Sequence, residues 1–449
     1  MARHSALMVL NHLDRTGQSL DAAMAHLIDE KQSLSRLDRS FVNHLVYGVL
    51  RWRRRLDWVI GAFSHVRLDR IEPPVRNLLR LALFQMMFMD RVPVSAAVNT
   101  AVELSKSLGE KWVVKYVNAL LRKAAAEHAQ VPLPDPKTDP AAHLAVSRSF
   151  PDGMVHRWLE RFGPPETTAL CDAFNRLPPI TVRTNTMKTD RETLHRALLV
   201  EARAVRETLY SNVGLSFSHP KLPLPNLASY QRGWFQVQDE AAQLVTRLLE
   251  PRAGETVMDA CAGLGGKTGY LAQLMQNRGR IVAVDVDKDK LARLRSEMMH
   301  LGFSIVTTNT RDLDGAAPQP PTRRFDRILL DAPCSGLGVL RRHPDAKWKD
   351  ALQHLDRHHE RQVRFLEHLA PLLKKGGVLL YAVCSMEPEE TGRTIAAFLQ
   401  RRPEFAVQPP AGIGFDNRTG LVSQDGCFRS FPHRHDMDGF FAARLKRMQ

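Results

Sequence analysis

Two cysteines in this sequence each follow an apolar run typical of a buried strand. Cys334 lies just beyond the run 325–331, which ends at Asp331, and Cys384 directly follows the run 377–383. Ligands bind in the crevice outside the carboxyl ends of strands in an open parallel sheet. The pattern therefore predicts a cleft that contains a carboxylate and two thiols.

Two other interpretations of these residues stay open at this point. Asp331 could cap the next segment while Cys334 is a small buried side chain, as free cysteines usually are. Redox chemistry between Cys334 and Cys384 is disfavoured, because cytosolic thiols are normally kept reduced. The chain has five cysteines and no Cys-x-x-Cys pair, so neither a disulfide framework nor a metal site is expected. The remaining candidates are expected to be structural or solvated: Cys171, Cys427, His358, His359, His433 and His435.

The composition favours a polyanionic partner. The chain has 449 residues with 63 basic against 48 acidic side chains, a formal net charge of +15. Nucleic acid is the commonest partner of such a protein. No apolar run reaches the roughly 18 residues needed to span a bilayer, and the amino terminus lacks a signal-peptide core. We therefore expect a cytoplasmic protein that does not associate with membranes.

The apolar periodicity changes along the chain and predicts several domains. The first part has helical spacing throughout, and four prolines within 131–140 interrupt it. After residue 250, strands alternate regularly with helices, which implies right-handed crossovers and a parallel, doubly wound α/β sheet. The expected order is an all-helical domain (1–128), a linker (129–145), a small α+β RNA-binding region (146–250) and a Rossmann-like domain (251–449).

Basic residues before the last domain are candidates for contact with RNA phosphates. The run 50–55 reads Leu-Arg-Trp-Arg-Arg-Arg, a basic patch with an interleaved aromatic residue. A solvated helix face is its alternative interpretation. Arg183 and Asn185, on a predicted strand, could contact phosphate or could be ordinary residues of the strand surface.

A glycine-rich loop at 262–269 lies between the first strand of the last domain and its helix. Glycines allow a ligand to approach backbone N–H groups closely. The loop matches neither the dinucleotide fingerprint nor the phosphate-binding loop, whereas Asp285 ends the next strand where an acid that binds ribose is expected. A nucleoside ligand without a phosphate chain, S-adenosylmethionine, is therefore favoured.

Four motifs together resemble the RNA cytosine-5 methyltransferases of the NOL1/NOP2/Sun family. They are DACAGLGGKT at 259–268, DAPCSG at 331–336, RRHPD at 341–345 and YAVCSMEPEE at 381–390. The helical segment, with PPVRNLLR at 73–80 and RVPVSAAVN at 91–99, resembles the NusB-like RNA-binding domain. The pairing is similar to the bacterial Sun/Fmu (RsmB) type, which implies a fold with a Rossmann-like methyltransferase domain and small-subunit ribosomal RNA as the substrate.

The resemblance also implies roles for individual residues. Cys384 would attack carbon 6 of cytosine, Cys334 would assist proton removal and release, and Asp331 would contact the base. Asp285 would bind the ribose of S-adenosylmethionine and Asp312 the adenine side. The other implied cofactor-binding residues are Cys261, Ala262, Gly263, Leu264, Gly265, Gly266, Lys267 and, again, Asp331.

The sequence departs from the family pattern at a few positions. Leu264 replaces a usual proline, and Val383 replaces a usual threonine before the second cysteine. Arg311 precedes Asp312 where a glycine is common, so that Asn309 could take the place of Asp312.

Two alternative functions stay open beside methylation of small-subunit RNA. The protein could be an RNA-binding assembly factor that has lost turnover, or it could carry out the same chemistry on transfer RNA or large-subunit RNA. We expect a monomer.

Overall fold

The computed structural model describes residues 1–29, 34–315, 324–410 and 419–448. The described chain forms two compact units, one of residues 1–176 with 340–350 and one of 177–339 with 351–449. Within the described residues, no helix combines the length and apolar character needed to cross a bilayer.

The first unit is helical, as the periodicity predicts. Gly48 allows its third and fourth helices to pack closely, since a Cβ there would lie 1.9 Å from the ring of Phe84. The side chain of Ser35 caps the third helix by accepting a hydrogen bond from the backbone N–H of Asp38. The helices are α1 (Ala2–Thr16), α2 (Leu20–Met24), α3 (Arg36–Phe63), α4 (Pro73–Phe88), α5 (Val94–Ser105), α6 (Lys111–Glu127), α7 (Pro140–Ser147) and α8 (Asp152–Asn175).

The expected linker and the region after it differ from the observed elements. Helix α7 begins inside the expected linker 129–145, where Asp139 caps it by accepting from Ala142 N. Helix α8 belongs to the first unit, and its Trp158 packs against Phe150 with ring centroids 5.5 Å apart. The three boundaries between the expected segments stay a prediction.

Residues 340–350 complete the first unit although they come late in the chain. The buried Lys347 donates hydrogen bonds to the carbonyl oxygens of Arg51 and Ser149 and to the side chain of Asn175, at 2.9–3.3 Å. Its Nζ also lies 3.6 Å from the ring centroid of Phe150. Burial lowers the pKa of Lys347 well below its ordinary value. A late segment thus supplies a buried hydrogen-bond donor to the helical core.

The expectation that the run 50–55 contacts phosphate is wrong for Arg51. Arg51 is 4% exposed, and its guanidinium donates to the carbonyl of Arg341 at 2.7 Å. The neighbouring Trp52 stacks on Phe88 with ring centroids 4.6 Å apart. This part of the basic run therefore stabilises the helical unit.

The second unit begins with a four-stranded sheet in the order β2-β3-β1-β4. Its elements are β1 (Ile180–Thr184), α9 (Arg191–Glu201), β2 (Arg203–Glu207), β3 (Gly214–Ser218), α10 (Ala228–Gln231), β4 (Phe235–Val237) and α11 (Glu240–Leu248). Both interpretations of Arg183 and Asn185 are wrong, because both side chains are fully buried. Arg183 donates to Gln236, Gln238 and Gln273, and Asn185 donates to the carbonyls of Gly233 and Leu301.

The expected Rossmann-like fold is confirmed in the larger sheet, whose order is β10-β12-β9-β8-β5-β6-β7 with β11 paired to β12. Strands β9, β8, β5, β6 and β7 are parallel, while β12 runs antiparallel to β9. The elements are β5 (Thr256–Ala260), α12 (Gly266–Leu274), β6 (Arg280–Asp285), α13 (Lys288–Leu301), β7 (Val306–Thr310), β8 (Phe325–Asp331), α14 (Leu355–Leu369), β9 (Leu373–Val383), α15 (Gly392–Arg401), β10 (Phe405–Val407), β11 (Phe428–Ser430), α16 (Pro432–His435) and β12 (Phe440–Arg447).

Replacing the buried lysine of 340–350 should loosen the helical unit. We expect Lys347→Ala to lower the free energy of unfolding by about 2–5 kcal/mol, because it leaves a cavity and three acceptors without a donor. Lys349→Ala is the matched control, since the Lys349 side chain is 36% exposed. Hydrogen–deuterium exchange should rise within α3 and α8 for Lys347→Ala and much less for the control. Equal exchange in the two variants would contradict the assigned role.

Candidate active site

The carboxyl ends of β8 and β9 bring the predicted residues together. In the parallel pairing of the two strands, Asp331 lies opposite Ala382. The turns that follow place the sulfur atoms of Cys334 and Cys384 3.3 Å apart. The expected cleft with a carboxylate and two thiols is thus observed, and both cysteines are partly buried there.

A close crossing of backbones holds the second thiol in position. The backbone N–H of Gly338 donates to the carbonyl of Cys384 at 2.9 Å, and that of Gly439 donates to the carbonyl of Gly338 at 2.8 Å. A Cβ on Gly338 would lie 1.9 Å from the carbonyl oxygen of Gly439. Only glycine fits at this crossing.

A buried carboxylate fixes the turn that carries the first thiol. Glu390 is fully buried and accepts hydrogen bonds from the backbone N–H of Ser335 at 2.8 Å and from its hydroxyl at 2.5 Å. Gln362 on α14 donates to the carbonyl of Pro333 at 3.0 Å and to Glu390 at 3.2 Å. Neither Glu390 nor Gln362 could be recognised from its residue type and spacing alone. The motif at 381–390 was the signal available for Glu390.

Asp331 forms an ion pair inside the site. Lys267, from the first turn of α12, donates to Oδ2 of Asp331 at 2.6 Å, and the Lys267 side chain is 12% exposed. Burial alone would lower the pKa of Lys267, but the charge and the hydrogen bond of Asp331 raise it above its ordinary value. The lysine is therefore cationic at neutral pH, and its ammonium group also lies 5.3 Å from the ring centroid of Phe440.

The two thiols on the β5 and β8 turns keep their protons at neutral pH. The contact with Cys384 and burial raise the pKa of Cys334 well above its ordinary value. Burial and three nearby aspartates, Asp331 first among them, raise the pKa of Cys261. Cys334 can therefore donate its S–H to the sulfur of Cys384.

The glycine-rich loop wraps around the end of β6. The backbone N–H of Gly263 donates to Oδ2 of Asp285 at 2.8 Å, and that of Asp287 donates to Oδ1 at 3.0 Å. Gly265 precedes α12 with φ 87°, and a Cβ there would lie 2.6 Å from the Leu294 side chain. The loop conformation thus depends on glycine at 265.

A cavity of about 280 Å³ opens between this loop and the end of β8. Three of its lining residues are the predicted aspartates Asp285, Asp312 and Asp331, whereas Asn309 does not line it. The structure therefore favours Asp312 over Asn309 at this site. The remaining lining residues are Cys261, Gly263, Val284, Val286, Lys290, Arg311, Leu313, Pro333, Arg361 and Phe365.

The lining suits a nucleoside. Carboxylates accept hydrogen bonds from ribose hydroxyls, and the apolar side chains of Val284, Val286 and Phe365 offer contact area to a base. The volume lies near the lower end of the range for small-molecule sites. S-adenosylmethionine, a cationic nucleoside, fits this donor set.

The departures from the family pattern lie in different places. Leu264 is 55% exposed at the loop, and Arg311 lines the cavity beside Asp312. Val383 is fully buried and packs in an apolar cluster with Ile328. The residue at 383 therefore faces the core of the sheet.

Four of the other sequence candidates lie in structural positions. Cys171 and Cys427 are buried. The ring of His359 binds the carbonyl of Glu389, and Nδ1 of His435 accepts from the backbone N–H of Phe431. No group of His, Cys, Asp and Glu side chains in the described ranges is arranged to hold a metal ion.

Asp259 at the end of β5 should make stability depend on pH. It is fully buried, Thr268 donates to its Oδ2 at 2.6 Å, and its Oδ1 has no hydrogen-bond partner among the described residues. Burial raises the pKa of Asp259 to about 7, against the opposing hydrogen bond from Thr268. Between roughly pH 4 and pH 7 the folded state binds more protons than the unfolded state, so stability falls as the pH rises.

We therefore expect Asp259→Asn to stabilise the second unit at pH 8, by up to about 4 kcal/mol. The amide still accepts from Thr268 and has no charge to bury. The difference in melting temperature between Asp259→Asn and the wild type should shrink as the pH is lowered to 5. A difference independent of pH would show that Asp259 does not titrate as described.

The backbone crossing at Gly338 gives a second prediction. Gly338→Ala should destabilise the second unit by about 1–3 kcal/mol, because the new methyl group must push the backbone of Gly439 away. Gly392→Ala is the matched control, since a Cβ there meets nothing within 4 Å. Thermal unfolding of both variants tests this prediction. Equal melting temperatures would mean that the crossing tolerates a side chain.

Comparison with family models divides the chain into three matches. Residues 246–446 match the 16S rRNA methyltransferase RsmB/F family, and residues 1–126 match the NusB family. Residues 150–222 match the ferredoxin-like domain of RsmF/B-like methyltransferases. The matches thus cover both units of the described chain.

Individual relatives and solved structures agree with these matches. The chain is 34% identical to the probable ribosomal RNA small subunit methyltransferase B of Synechocystis sp., covering 99% of both chains. It is 34% identical to the protein of that name from Bacillus subtilis, covering 99% of this chain and 98% of the relative.

The crystal structure of the protein named PH0851 matches with a TM-score of 0.79 at 27% identity, covering 98% of this chain and 97% of that one. A methyltransferase homolog protein from Pyrococcus horikoshii matches with a TM-score of 0.57 at 26% identity, covering 70% of this chain and 100% of that one. Together with the identity to relatives over nearly the whole chain, these matches show that the chain belongs to the RsmB/F family of 16S rRNA methyltransferases.

Proposed function

We propose that this protein transfers a methyl group from S-adenosylmethionine to carbon 5 of a cytosine in 16S ribosomal RNA, through a covalent bond between cysteine and cytosine. The observation that carries the proposal is the pair of sulfur atoms 3.3 Å apart beside a cavity lined by carboxylates. Membership of an rRNA methyltransferase family supports the reaction class and the RNA substrate.

The chemistry of cytosine explains why two thiols are useful. Carbon 5 is a poor nucleophile, but a thiolate that adds to carbon 6 creates an enamine that is nucleophilic at carbon 5. We assign this addition to Cys384: a bond forms between Sγ and carbon 6, and the displaced π electrons make carbon 5 nucleophilic. After methylation, the carbon 5 proton is lost to solvent with the assistance of Cys334. Its bonding electrons re-form the double bond between carbons 5 and 6, and the bond between Sγ and carbon 6 breaks to return the Cys384 thiolate.

The surroundings support this division of roles. The raised pKa of Cys334 means that this thiol keeps its proton and can donate it to Cys384, which makes Cys384 the better candidate for the thiolate. The ammonium group of Lys267 interacts electrostatically with Cys384 as well as with Asp331. A cation and an S–H donor are neighbours that stabilise a thiolate.

We assign Asp331 to recognition of the base. Lys267 occupies its Oδ2, so Oδ1 can accept a hydrogen bond from the exocyclic amine of cytosine. The ion pair with Lys267 fixes the position of this carboxylate, which leaves Oδ1 in place as an acceptor.

The residues around the cavity would hold the methyl donor. S-adenosylmethionine, when bound, supplies the electrophilic methyl group. Asp285 would accept hydrogen bonds from the ribose and Asp312 would contact the adenine side, while Cys261 and Gly263 of the glycine-rich loop line one wall of the cavity.

The relatives' names favour small-subunit ribosomal RNA as the substrate. A base within a duplex cannot reach two buried thiols, so we propose that the target cytosine is unpaired or flipped out. We also propose that the protein acts as a monomer in the cytoplasm.

Methyl transfer to unmodified 16S rRNA, measured with tritiated S-adenosylmethionine, tests the roles of the thiols. We expect Cys384→Ala to lose at least about 1,000-fold in rate because no covalent bond can form. Cys334→Ala should also lose turnover but accumulate a covalent RNA adduct on denaturing gels. Cys171→Ala is the matched control, since Cys171 is buried outside the site.

Equilibrium binding of S-adenosylmethionine should be the same in all these variants. A fully active Cys384→Ala protein would refute the nucleophile assignment, and an adduct absent from Cys334→Ala would refute the release role. Failure of the wild type to bind S-adenosylmethionine would refute the proposed reaction.

A further inference from the structure

A second charged cavity lies at the opposite end of the larger sheet, and we call it the basal pocket. It has a volume of about 340 Å³ and lies where β8 and β9 begin and β12 ends. Its lining residues are Glu250, Arg252, Glu255, Asp326, Arg327, Lys374, Lys375, Gly376, Gly377, Val378, Gln408, Arg444 and Lys446. None of the residues that the proposed reaction uses lines it.

The charges of the basal pocket do not balance. Each of its three acids already has a basic partner: Glu250 with Arg444 at 3.0 Å, Glu255 with Arg327 at 2.7 Å and Asp326 with Lys374 at 2.6 Å. Three further cations, Arg252, Lys375 and Lys446, have no ion-pair partner among the described residues. Three uncompensated positive charges therefore surround one concave surface.

One wall of the pocket is a buried guanidinium. Arg444 is 7% exposed, and its Nε has no hydrogen-bond partner among the described residues. Its neighbours Arg327 and Arg252 are also positively charged, and burial, followed by these two, lowers the pKa of Arg444 against the opposing charge of Glu250. An anion in the pocket would lower the electrostatic cost of this arrangement.

The pocket lies well away from the two thiols. Lys446 pairs with Val378 near the start of β9, and Cys384 follows the end of that strand. Six residues of strand correspond to about 20 Å. A small molecule in the pocket could not reach the reacting atoms, whereas an extended polymer could occupy both places.

We propose that the basal pocket binds backbone phosphates of the substrate RNA, as an anchoring contact separate from the site that holds the cytosine. This inference rests on the proposed function for the identity of the polymer. The lining offers lysine and arginine donors but no aromatic side chain on which a base could stack. The contact is therefore to phosphates and independent of nucleotide sequence.

Neutralising two cations of the pocket tests the proposal. Lys375→Gln/Lys446→Gln removes side chains that have no ion-pair partner, so the fold should be unaffected. Lys288→Gln/Arg293→Gln is the matched control, because it removes the same charge from exposed positions of α13. The measurement is equilibrium binding of 16S rRNA at several salt concentrations, together with kcat and KM for methyl transfer.

We expect the pocket variant to lower the slope of log K against log salt by about 1.5, since each lost phosphate contact contributes roughly 0.7–0.9. KM for 16S rRNA should rise about 10-fold while kcat is unchanged. The control variant should show a clearly smaller change in slope. A slope equal to that of the control would overturn the proposal.

Two further arms separate the possible outcomes. Inorganic phosphate should compete with RNA in the wild type but not in the pocket variant. Phosphate could raise the melting temperature of the wild type alone while the salt slopes for RNA binding are equal in the wild type and the pocket variant. The pocket would then bind free anions only, and the proposal would be overturned. If the wild type transfers no methyl group yet the pocket variant lowers the salt slope, the basal pocket stands and the proposed reaction fails.

Discussion

The register between β8 and β9 is the constraint on which the site depends. The pairing of Asp331 with Ala382 determines how far each strand extends before its turn, and therefore where the two sulfur atoms lie. Side chains alternate between faces along a strand, so a slip of one residue would turn Asp331 away from Lys267 and separate the thiols. The apolar sequences of both strands hold this register, because both faces of the sheet are covered. The apolar core of the sheet thus fixes the positions of the polar side chains in the site.

Three titratable groups share the small volume at that edge, and their arrangement is interdependent. Lys267 is buried yet cationic because Asp331 lies 2.6 Å away, and the same ion pair fixes the position of Asp331. Asp259 is close enough to both to respond to their charges, and burial favours its neutral form. Lys267 is thus paired with Asp331, while the Asp259 carboxyl keeps its proton up to about neutral pH. Replacing Lys267 or Asp331 would therefore shift the pKa of Asp259.

The sequence allowed the strands and the two cysteine turns to be predicted, because long apolar runs report burial directly. The sequence could not predict which distant residues would bury a polar side chain. Arg183 lies on a strand with alternating polar residues, but Gln273 from a later helix buries it. Arg51 lies on a basic helix face, and the residue that accepts its hydrogen bond is 290 positions away. The partner of Asp331 was likewise present in a predicted motif, yet only the fold shows that Lys267 points at it.

The two ends of the larger sheet differ in the kind of recognition that their side chains permit. At the carboxyl ends of the strands, two thiols lie 3.3 Å apart and Asp331 pairs with Lys267, an arrangement that suits selection of a single base and chemistry on it. At the other end, the cations that remain after pairing are Arg252, Lys375 and Lys446, side chains that attract phosphate without distinguishing nucleotides. A substitution at one end of the sheet leaves the strand register at the other end intact. Specificity for the base and affinity for the phosphates of one polymer can therefore vary independently. A sheet buried on both faces supplies the rigid spacer of about 20 Å that keeps these two functions apart.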